Sequence, residues 1–466
     1  MVFLQFMVPR LDGRRIGADF DRYLELVRGG VAGFIIFGGE LESLRRGITR
    51  LQEAASAPLI IASDLERGLG QQVEGGTLFP PAAAVAKAGE RDRGLPTRAF
   101  DCVAAEAAYA GINTVLAPVL DVDSNPENPI IATRAFSTDP ARVSSLGVEM
   151  LHALKGRGIA ACGKHFPGHG DTSVDSHLGL PTLEKPLAAL EECELVPFRE
   201  AIAAGLGMVM LGHLSVPAID PSGLPASLSG RAVSFLRDVL AFEGIIMTDA
   251  MDMGALKAYP AEDAALMALG AGVDILLHPG DPEGLARKME KASGAMDGAR
   301  LMKFRETLLQ GPVEARPPFE LNASLSDEIA AKAVQVRGRT GPLRDPFVLL
   351  LSDDGQKGEA FVSELGTRFP AIGWAAAGSG DEVPEPPRGD IIVAVFSEIK
   401  AWKGGASGWL REALARWAGR ARALVSFGSP HLVDGPGGEA ARVYAWWGAD
   451  AAQRAAARAI IDSIGQ

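Results

Sequence analysis

The segment that decides the fold reads GIAACGKHFPGHGDTSVDSH and spans residues 158–177. Its first six residues, Gly158–Gly163, are apolar and predict a short buried strand. The rest is rich in glycine and contains one lysine, three histidines and two aspartates. So many polar groups are not typical of a core, because each would need a buried partner. A buried strand that ends in polar side chains on glycine hinges indicates an active-site loop of a barrel enzyme.

Seven further apolar runs of similar length occur along the first part of the chain and alternate with helical patterns. Each is apolar on both faces, which is typical of parallel strands covered by helices. The eight predicted strands are Leu4–Pro9, Val31–Phe37, Pro58–Ser63, Ile112–Pro118, Gly158–Gly163, Gly207–Leu211, Gly244–Thr248 and Gly272–Leu277. This alternation predicts a (β/α)₈ TIM-type barrel, with a doubly wound open sheet as the alternative.

Titratable side chains follow six of the eight predicted strands. In a barrel these positions lie on one face, where the loops after the strands converge on a single pocket. The residues, in chain order, are Asp64, Asp121, Asp123, Lys164, His165, His213, Asp249 and His278. Their recurrence favours the barrel and predicts one active site at that face.

The pattern changes after Leu309. Residues Gly311–Leu321 are rich in proline and charge, which is typical of a linker, and Ser326–Val336 predicts a connecting helix. A second α/β series begins at Pro346, with apolar strands at Phe347–Leu351, Ile391–Phe396 and Ala423–Phe427. We therefore expect a catalytic barrel over residues 1–310, a linker with a connecting helix over 311–345, and a smaller three-layer α/β sandwich over 346–466.

Composition excludes several classes of partner. The net charge of −12 argues against nucleic acid and against an anionic membrane surface, since both need clustered Lys and Arg. The three cysteines form no CxxC pair, so we expect reduced thiols. The apolar start of the chain lacks a basic leader region, and no run of about twenty apolar residues follows. These features predict a soluble, cytoplasmic protein.

Asp249 ends the seventh predicted strand. A carboxylate at that position can act as a nucleophile or as a general base. The alternative is that Asp249 caps the next helix, a common role for Asp, but Asp252 lies three residues further on and fits a cap better. We therefore expect Asp249 to be catalytic.

Asp175 and His177 are close enough in sequence to form a pair if the loop curls back. A carboxylate that accepts a hydrogen bond from one imidazole nitrogen fixes the tautomer and leaves the other nitrogen for proton transfer near neutral pH. Gly168 and Gly170 would let the loop close over a bound ligand. The alternative is an Asx-type turn made by Asp175, with His177 in solvent.

Four charged side chains near the strand ends suit a ligand with many hydroxyl groups, because charge-assisted hydrogen bonds tolerate competition from water. They are Asp64, Arg134, Lys164 and His165. On spacing alone, Arg134 is equally consistent with an ordinary surface residue.

A metal site is the main chemical alternative. His165 and His169 have H-x₃-H spacing, and His177 and His213 could complete a set. However, that spacing binds a metal from one face of a helix, and this segment is too rich in Gly and Pro to be helical. No GxSxG serine elbow occurs in the sequence either. We therefore expect no metal and no cofactor.

The barrel part of the chain, roughly residues 1–310, resembles glycoside hydrolase family 3 and in particular its bacterial β-N-acetylglucosaminidase branch. The marker of that branch is Lys164–Thr172 followed by Asp175-Ser176-His177. Supporting matches are Ala117–Val122, Arg134–Phe136 before Asp139-Pro140, Pro225–Ser229, Gly244–Gly254 and, in the C-terminal part, Phe427–Pro430. The sequence departs from the family at Asp64–Gly68, which reads DLERG where Asp-Gln-Glu-Gly-Gly is frequent.

Carried over by position, the resemblance implies that Asp249 is the nucleophile and that His177 is the general acid/base with Asp175 as its partner. It also implies which residues bind the hydroxyl groups of the terminal sugar, namely Asp64, Arg134, Lys164 and His165.

The activity implied by the resemblance is that of a metal-free, retaining exo-β-N-acetylglucosaminidase acting on terminal GlcNAc of muropeptide or cell-wall fragments. A small carbohydrate is then the expected partner. A phosphorylase stays open, because a neutral histidine repels an incoming phosphate less than Glu would. A β-glucosidase-like glycosidase also stays open. A non-enzymatic sugar-binding protein is disfavoured, because the nucleophile, the acid/base and its partner are all present.

Overall fold

The computed structural model of the chain describes residues 2–292, 296–313, 315–387, 389–399 and 405–464. The chain divides into two compact units. The first comprises Met1–Phe79, Thr97–Asn125 and Ser137–Asn322, and the second comprises Pro80–Pro96, Pro126–Phe136 and Ala323–Gln466. Two segments from the first third of the chain therefore cluster with the C-terminal residues.

The first unit contains a parallel sheet in the order β1-β9-β8-β7-β6-β5-β4-β3-β2. Nearly all residues of its inner strands are buried, as the apolar runs predict. The strands are β1 (Met7–Val8), β2 (Arg10–Asp12), β3 (Gly33–Phe37), β4 (Ile60–Ser63), β5 (Thr114–Val115), β6 (Ala160–Phe166), β7 (Met208–Leu211), β8 (Ile245–Ala250) and β9 (Ile275–Leu277).

The sheet closes through β1 and β2, which are two parts of one strand. Met7 and Val8 of β1 pair with β9, whereas β2 pairs with β3. Pro9 separates the two parts, because proline has no backbone N–H to donate to a ladder. The predicted barrel is thereby confirmed, and the open doubly wound sheet is wrong. The first predicted strand, Leu4–Pro9, begins too early, since Val2–Phe6 forms a 3₁₀ turn.

Helices alternate with the strands along this part of the chain. Up to residue 333 they are α1 (Phe20–Arg28), α2 (Leu41–Ala54), α3 (Ala82–Arg91), α4 (Gly94–Ala110), α5 (Pro140–Lys155), α6 (Leu187–Glu192), α7 (Leu195–Ala203), α8 (Gly230–Ser234), α9 (Ala261–Ala271), α10 (Pro282–Ala292), α11 (Ala299–Arg305) and α12 (Phe319–Ala333). The connecting helix α12 begins seven residues before the predicted Ser326, inside the segment whose composition suggested a linker.

The second unit contains a mixed sheet in the order β10-β15-β14-β13-β11-β12. All neighbouring strands are parallel except β10 and β15, which are antiparallel. The strands are β10 (Gln335–Arg337), β11 (Phe347–Ser352), β12 (Gly373–Gly378), β13 (Ile391–Phe396), β14 (Ala421–Ser426) and β15 (Ala441–Tyr444).

Helices on both faces of this sheet enclose two apolar clusters, so the predicted three-layer α/β sandwich is confirmed. The helices are α13 (Glu359–Gly366), α14 (Gly408–Ala418), α15 (His431–Asp434) and α16 (Asp450–Ile464). The sequence patterns missed β12, because this edge strand is half-exposed and consists mainly of Gly and Ala. They also missed the short strands β10 and β15. No helix in the described part of the chain combines the length and apolar character needed to cross a bilayer.

Candidate active site

Lys164, on β6, is buried between two carboxylates. Its Nζ atom lies 2.6 Å from Oδ1 of Asp64 and 2.7 Å from Oε1 of Glu66. A buried ammonium group is stable only when it is paired, so these contacts hold the lysine in its charged form. The structure thus brings together the predicted pair Asp64 and Lys164. Sequence reasoning missed Glu66, although its i+2 spacing from Asp64 places it in the same loop.

His165, the next residue on β6, is held by Asp121. Its Nδ1 atom lies 2.7 Å from Oδ2 of Asp121, while Oδ1 accepts the backbone N–H groups of His165 (3.2 Å) and His169 (2.7 Å). Burial alone would raise the pKa of Asp121, but the charge of His165 and these hydrogen bonds outweigh it and lower the pKa. An ionised Asp121 keeps the proton on Nδ1 and leaves Nε2 of His165 available to a ligand.

Asp249 lies near the end of β8 and is half-buried. Its Oδ1 atom accepts the backbone N–H of Ala250 at 2.8 Å. Burial would raise the pKa of Asp249, but His165 and the Ala250 N–H group favour the charged form, and the pKa lies below its ordinary value. The carboxylate is therefore ionised near neutral pH, as a nucleophile must be.

His213 supports the end of the same strand. Its Nε2 atom lies 2.9 Å from the carbonyl oxygen of Ala250, and its Nδ1 atom lies 2.6 Å from Oγ of Ser227. Because a carbonyl oxygen only accepts, Nε2 carries the proton and Nδ1 accepts from the serine hydroxyl. Burial lowers the pKa of His213 despite the opposing effect of Asp249. His213 is thus neutral, and its hydrogen bond to Ala250 holds the backbone next to Asp249 in place.

The loop after β6 places Asp175 beside His177. Oδ1 of Asp175 accepts the backbone N–H of His177 at 2.8 Å and lies 2.9 Å from its Nδ1 atom. The Asx-type turn and the side-chain pair are therefore both present. Asp175 is buried, whereas the imidazole of His177 is 34% exposed, so that its Nε2 atom can exchange a proton with a ligand.

His169 and Gly254 fix the position of this loop. The buried ring of His169 lies 2.7 Å from Thr172 Oγ1 and 3.1 Å from Ser176 Oγ. The carbonyl of Ser176 accepts the backbone N–H of Ala255 at 3.0 Å, and a Cβ atom on Gly254 would lie only 2.3 Å from the carbonyl oxygen of His177. The loop therefore packs directly on the segment that follows β8, the strand of Asp249.

An ion-pair cluster holds the two ends of the loop. Nζ of Lys185 lies 2.9 Å from Oδ2 of Asp171 and 2.7 Å from Oε1 of Glu194. Glu194 is fully buried, and its Oε1 atom also accepts from Ser124. Desolvation would lower the pKa of Lys185, but its hydrogen bonds to Glu194 and Asp171 raise it. Sequence reasoning missed this cluster, because no motif identifies the partner of an isolated lysine.

Arg134, the remaining predicted sugar ligand, belongs to the second compact unit. It ends the short 3₁₀ turn Ala132–Arg134, and its Nη1 atom donates to the carbonyl of Ile130 at 3.0 Å. Its role as a sugar ligand stays a prediction. Within the described ranges, no three His, Cys, Asp or Glu side chains are arranged to hold a metal ion.

The chain matches the family described as "Glycosyl hydrolase family 3 N terminal domain" over residues 21–305. The chain belongs to glycosyl hydrolase family 3. It is 36% identical over 263 residues to a beta-hexosaminidase of Chromobacterium violaceum. The matched region covers 54% of this chain and 73% of that relative.

Two other comparisons concern relatives of different length. The chain is 34% identical over 273 residues to beta-hexosaminidase A of Pseudoalteromonas piscicida, covering 53% of this chain but only 46% of that protein. It therefore spans about half the length of that relative. The fold is similar to that of a glycoside hydrolase family 3 beta-N-acetylglucosaminidase from Paenibacillus sp. FPU-7, with a TM-score of 0.80, 24% identity and coverage of 99% of this chain and 96% of that one.

The buried environment of His169 predicts a pH-dependent stability. Burial and the nearby His165 lower the pKa of His169 from 6.5 to about 4. The unfolded chain therefore takes up this proton before the folded chain does, and stability falls as the pH drops from about 6.5 towards 4. Between pH 7 and pH 5 the free energy of unfolding of the barrel should fall by about 2 kcal/mol more in the wild type than in His169→Gln.

Urea unfolding at the two pH values measures this difference. His152→Gln is the matched control, because His152 is exposed on α5 and its replacement should leave the wild-type pH dependence intact. Equal pH dependence in the wild type and in His169→Gln would show that His169 is not held neutral.

Proposed function

We propose that this protein is a retaining exo-β-N-acetylglucosaminidase. The observation that carries the proposal is the dyad His177–Asp175, with 2.9 Å between Nδ1 and Oδ1, on a loop that packs against the segment after Asp249. An ionised carboxylate and a carboxylate-oriented imidazole are the two groups that a double-displacement mechanism requires. The family and the names of the relatives support the choice of β-linked GlcNAc as the substrate.

In the first chemical step, an oxygen of Asp249 attacks the anomeric carbon while the bond to the leaving-group oxygen breaks. His177 donates its proton from Nε2 to that oxygen, and Asp175 stabilises the proton that remains on Nδ1. In the second step the imidazole accepts a proton from water, and the water oxygen displaces Asp249 from the anomeric carbon. Two inversions give net retention of configuration.

The terminal sugar binds through the charged groups at the ends of β4 and β6. Asp64 accepts hydrogen bonds from sugar hydroxyl groups, Lys164 donates, and His165 contributes its Nε2 atom. Arg134 completes this set in our proposal. Lys164 is already oriented by Glu66 and Asp64, so little side-chain entropy is lost when the sugar binds.

The substrates in our proposal are muropeptide or other cell-wall fragments with a non-reducing GlcNAc, and the location is cytoplasmic. Comparing the rates on an aryl β-GlcNAc and an aryl β-glucoside tests the sugar specificity, since a β-glucosidase would prefer the second compound.

Phosphorolysis is the second candidate function, because the proposed acid/base is an imidazole and its neutral form does not repel phosphate. Adding phosphate and assaying GlcNAc-1-phosphate separates hydrolysis from phosphorolysis.

Replacement of the nucleophile should abolish turnover. Asp249→Asn keeps an acceptor for the Ala250 N–H group but removes the attacking anion, so kcat on an aryl β-GlcNAc should fall by at least about a thousandfold. With a slow fluorinated GlcNAc substrate, mass spectrometry of the wild type should find one sugar on the peptide that contains Asp249. A label on a different peptide would contradict the assignment.

Replacement of the acid/base should depend on the leaving group. His177→Ala should lower kcat/KM by about 10²–10⁴-fold for an alkyl or sugar leaving group, and much less for dinitrophenolate, which departs with little protonation. Asp175→Asn should show the same pattern with a smaller loss. Ser173→Ala, in the exposed part of the same loop, is the control. Equal losses on good and poor leaving groups would exclude His177 as the general acid.

A further inference from the structure

The loop that carries the proposed acid/base has little apolar packing around its dyad. Residues 171–185 form this loop, which we call the dyad loop because it contains Asp175 and His177. The apolar side chains on either side of the dyad, Val174 and Leu178, are 43% and 66% exposed. Burial of apolar surface therefore contributes little to the position of His177, and polar contacts must supply most of the restraint.

Glu194 is a fixed point close to the start of the dyad loop. It is fully buried and directly precedes α7. The ring of Phe198, on α7, meets the ring of Phe166 at the end of β6 edge to face, with centroids 5.3 Å apart. Aromatic pairs in this arrangement add stability beyond the area that they bury. The position of Glu194 is therefore tied to the strand that carries two of the proposed sugar ligands.

The chain passes directly over Glu194 on its way into the dyad loop. Gly168 has φ at 127°, and a Cβ atom at this position would lie only 2.7 Å from the Cβ atom of Glu194. Both the backbone angle and the lack of space require glycine here. Asp171, the first residue of the dyad loop, follows three positions later, so the loop begins beside the buried carboxylate.

Lys185 joins the two ends of the dyad loop to this fixed point. Its Nζ atom lies 2.9 Å from Oδ2 of Asp171, at the start of the loop, and 2.7 Å from Oε1 of Glu194. Lys185 is itself the last residue of the loop. The two ion pairs therefore close the loop at its neck, and they bind the closed neck to Glu194.

The neck would not stay closed without the ammonium group. Among the described residues, Lys185 is the one cation at ion-pair distance from Glu194, whose Oε1 atom also accepts from Oγ of Ser124 at 3.2 Å. A buried carboxylate that loses its countercharge is strongly destabilised. Asp171 and Glu194 lie 2.9 and 2.7 Å from the same nitrogen, so without Lys185 the two carboxylates would also repel each other.

We propose that Lys185 is a positioning residue for proton transfer by His177. It keeps the neck of the dyad loop closed, and the closed neck keeps the imidazole of His177 within reach of the leaving-group oxygen. Lys185 acts through the loop and not by contact with the substrate. This inference rests on the proposed function, because it takes His177 as the general acid.

Two β-GlcNAc glycosides test the proposal, one with an alkyl and one with a dinitrophenyl leaving group. Lys185→Met should lower kcat/KM by about tenfold for the alkyl glycoside but by less than about twofold for the dinitrophenyl glycoside, whose leaving group needs little protonation. Lys185→Arg should restore most of the loss, because a guanidinium can also pair with both carboxylates. Arg199→Met is the matched control, since its ion pair with Glu191 is exposed, and it should leave both rates unchanged.

A double variant keeps the test valid if Lys185→Met does not fold. Lys185→Met combined with Glu194→Gln removes the uncompensated buried charge and the repulsion with Asp171, but it leaves the neck without an ion pair. The ratio of the alkyl rate to the dinitrophenyl rate should still fall, by at least about threefold. A purely structural role of the cluster would instead lower both rates equally, because it would change only the amount of folded enzyme.

The outcomes separate this inference from the proposed function. An unchanged ratio of the two rates in Lys185→Met, or in the double variant if the single variant does not fold, would overturn the role of Lys185. His177→Ala, assayed on the same two glycosides, tests the general acid itself. A selective loss in His177→Ala without one in the Lys185 variants would overturn only the role of Lys185. No selective loss in His177→Ala would overturn the proposed acid, and the inference with it.

Discussion

The active site depends on one buried carboxylate, Asp121. Its two oxygens accept from the backbone of His165, the ring of His165 and the backbone of His169. These three contacts fix the end of β6 and the start of the loop that carries the dyad. Without Asp121, nothing would hold the proton of the His165 ring on Nδ1, and the loop would lose the hydrogen bond from the backbone of His169. The proposed sugar-binding residue His165 and the loop that carries the proposed proton-transfer dyad therefore share a single support.

Burial and nearby charges give the histidines and aspartates at this end of the barrel different protonation states. Burial keeps His169 and His213 neutral, whereas Asp249 is ionised because His165 and the backbone N–H group of Ala250 outweigh the effect of its burial. The proposed nucleophile must be charged, whereas burial makes the neutral form of His169 the more stable one. His177 differs from the buried His169 and His213, since it is partly exposed and paired with a buried carboxylate, as its proposed role in proton transfer requires.

The barrel and most of its strand ends could be predicted from the sequence, because long apolar runs and polar strand ends are local signals. The pairing of Asp175 with His177 was also predictable, since the residues are two positions apart. The contacts of Glu66 and Lys185 were not, because they join residues from separate loops and no pattern in either segment identifies the partner. The edge strand Gly373–Gly378 was missed because its residues have low strand propensity.

The central claim is that Asp249 and the His177–Asp175 dyad act by double displacement. Proton NMR of the first sugar released from a β-GlcNAc glycoside, before mutarotation, tests it most directly. Retention predicts that the β-anomer of GlcNAc appears first and then equilibrates with the α-anomer. Initial appearance of the α-anomer would mean that water attacks the sugar directly, and it would contradict the account.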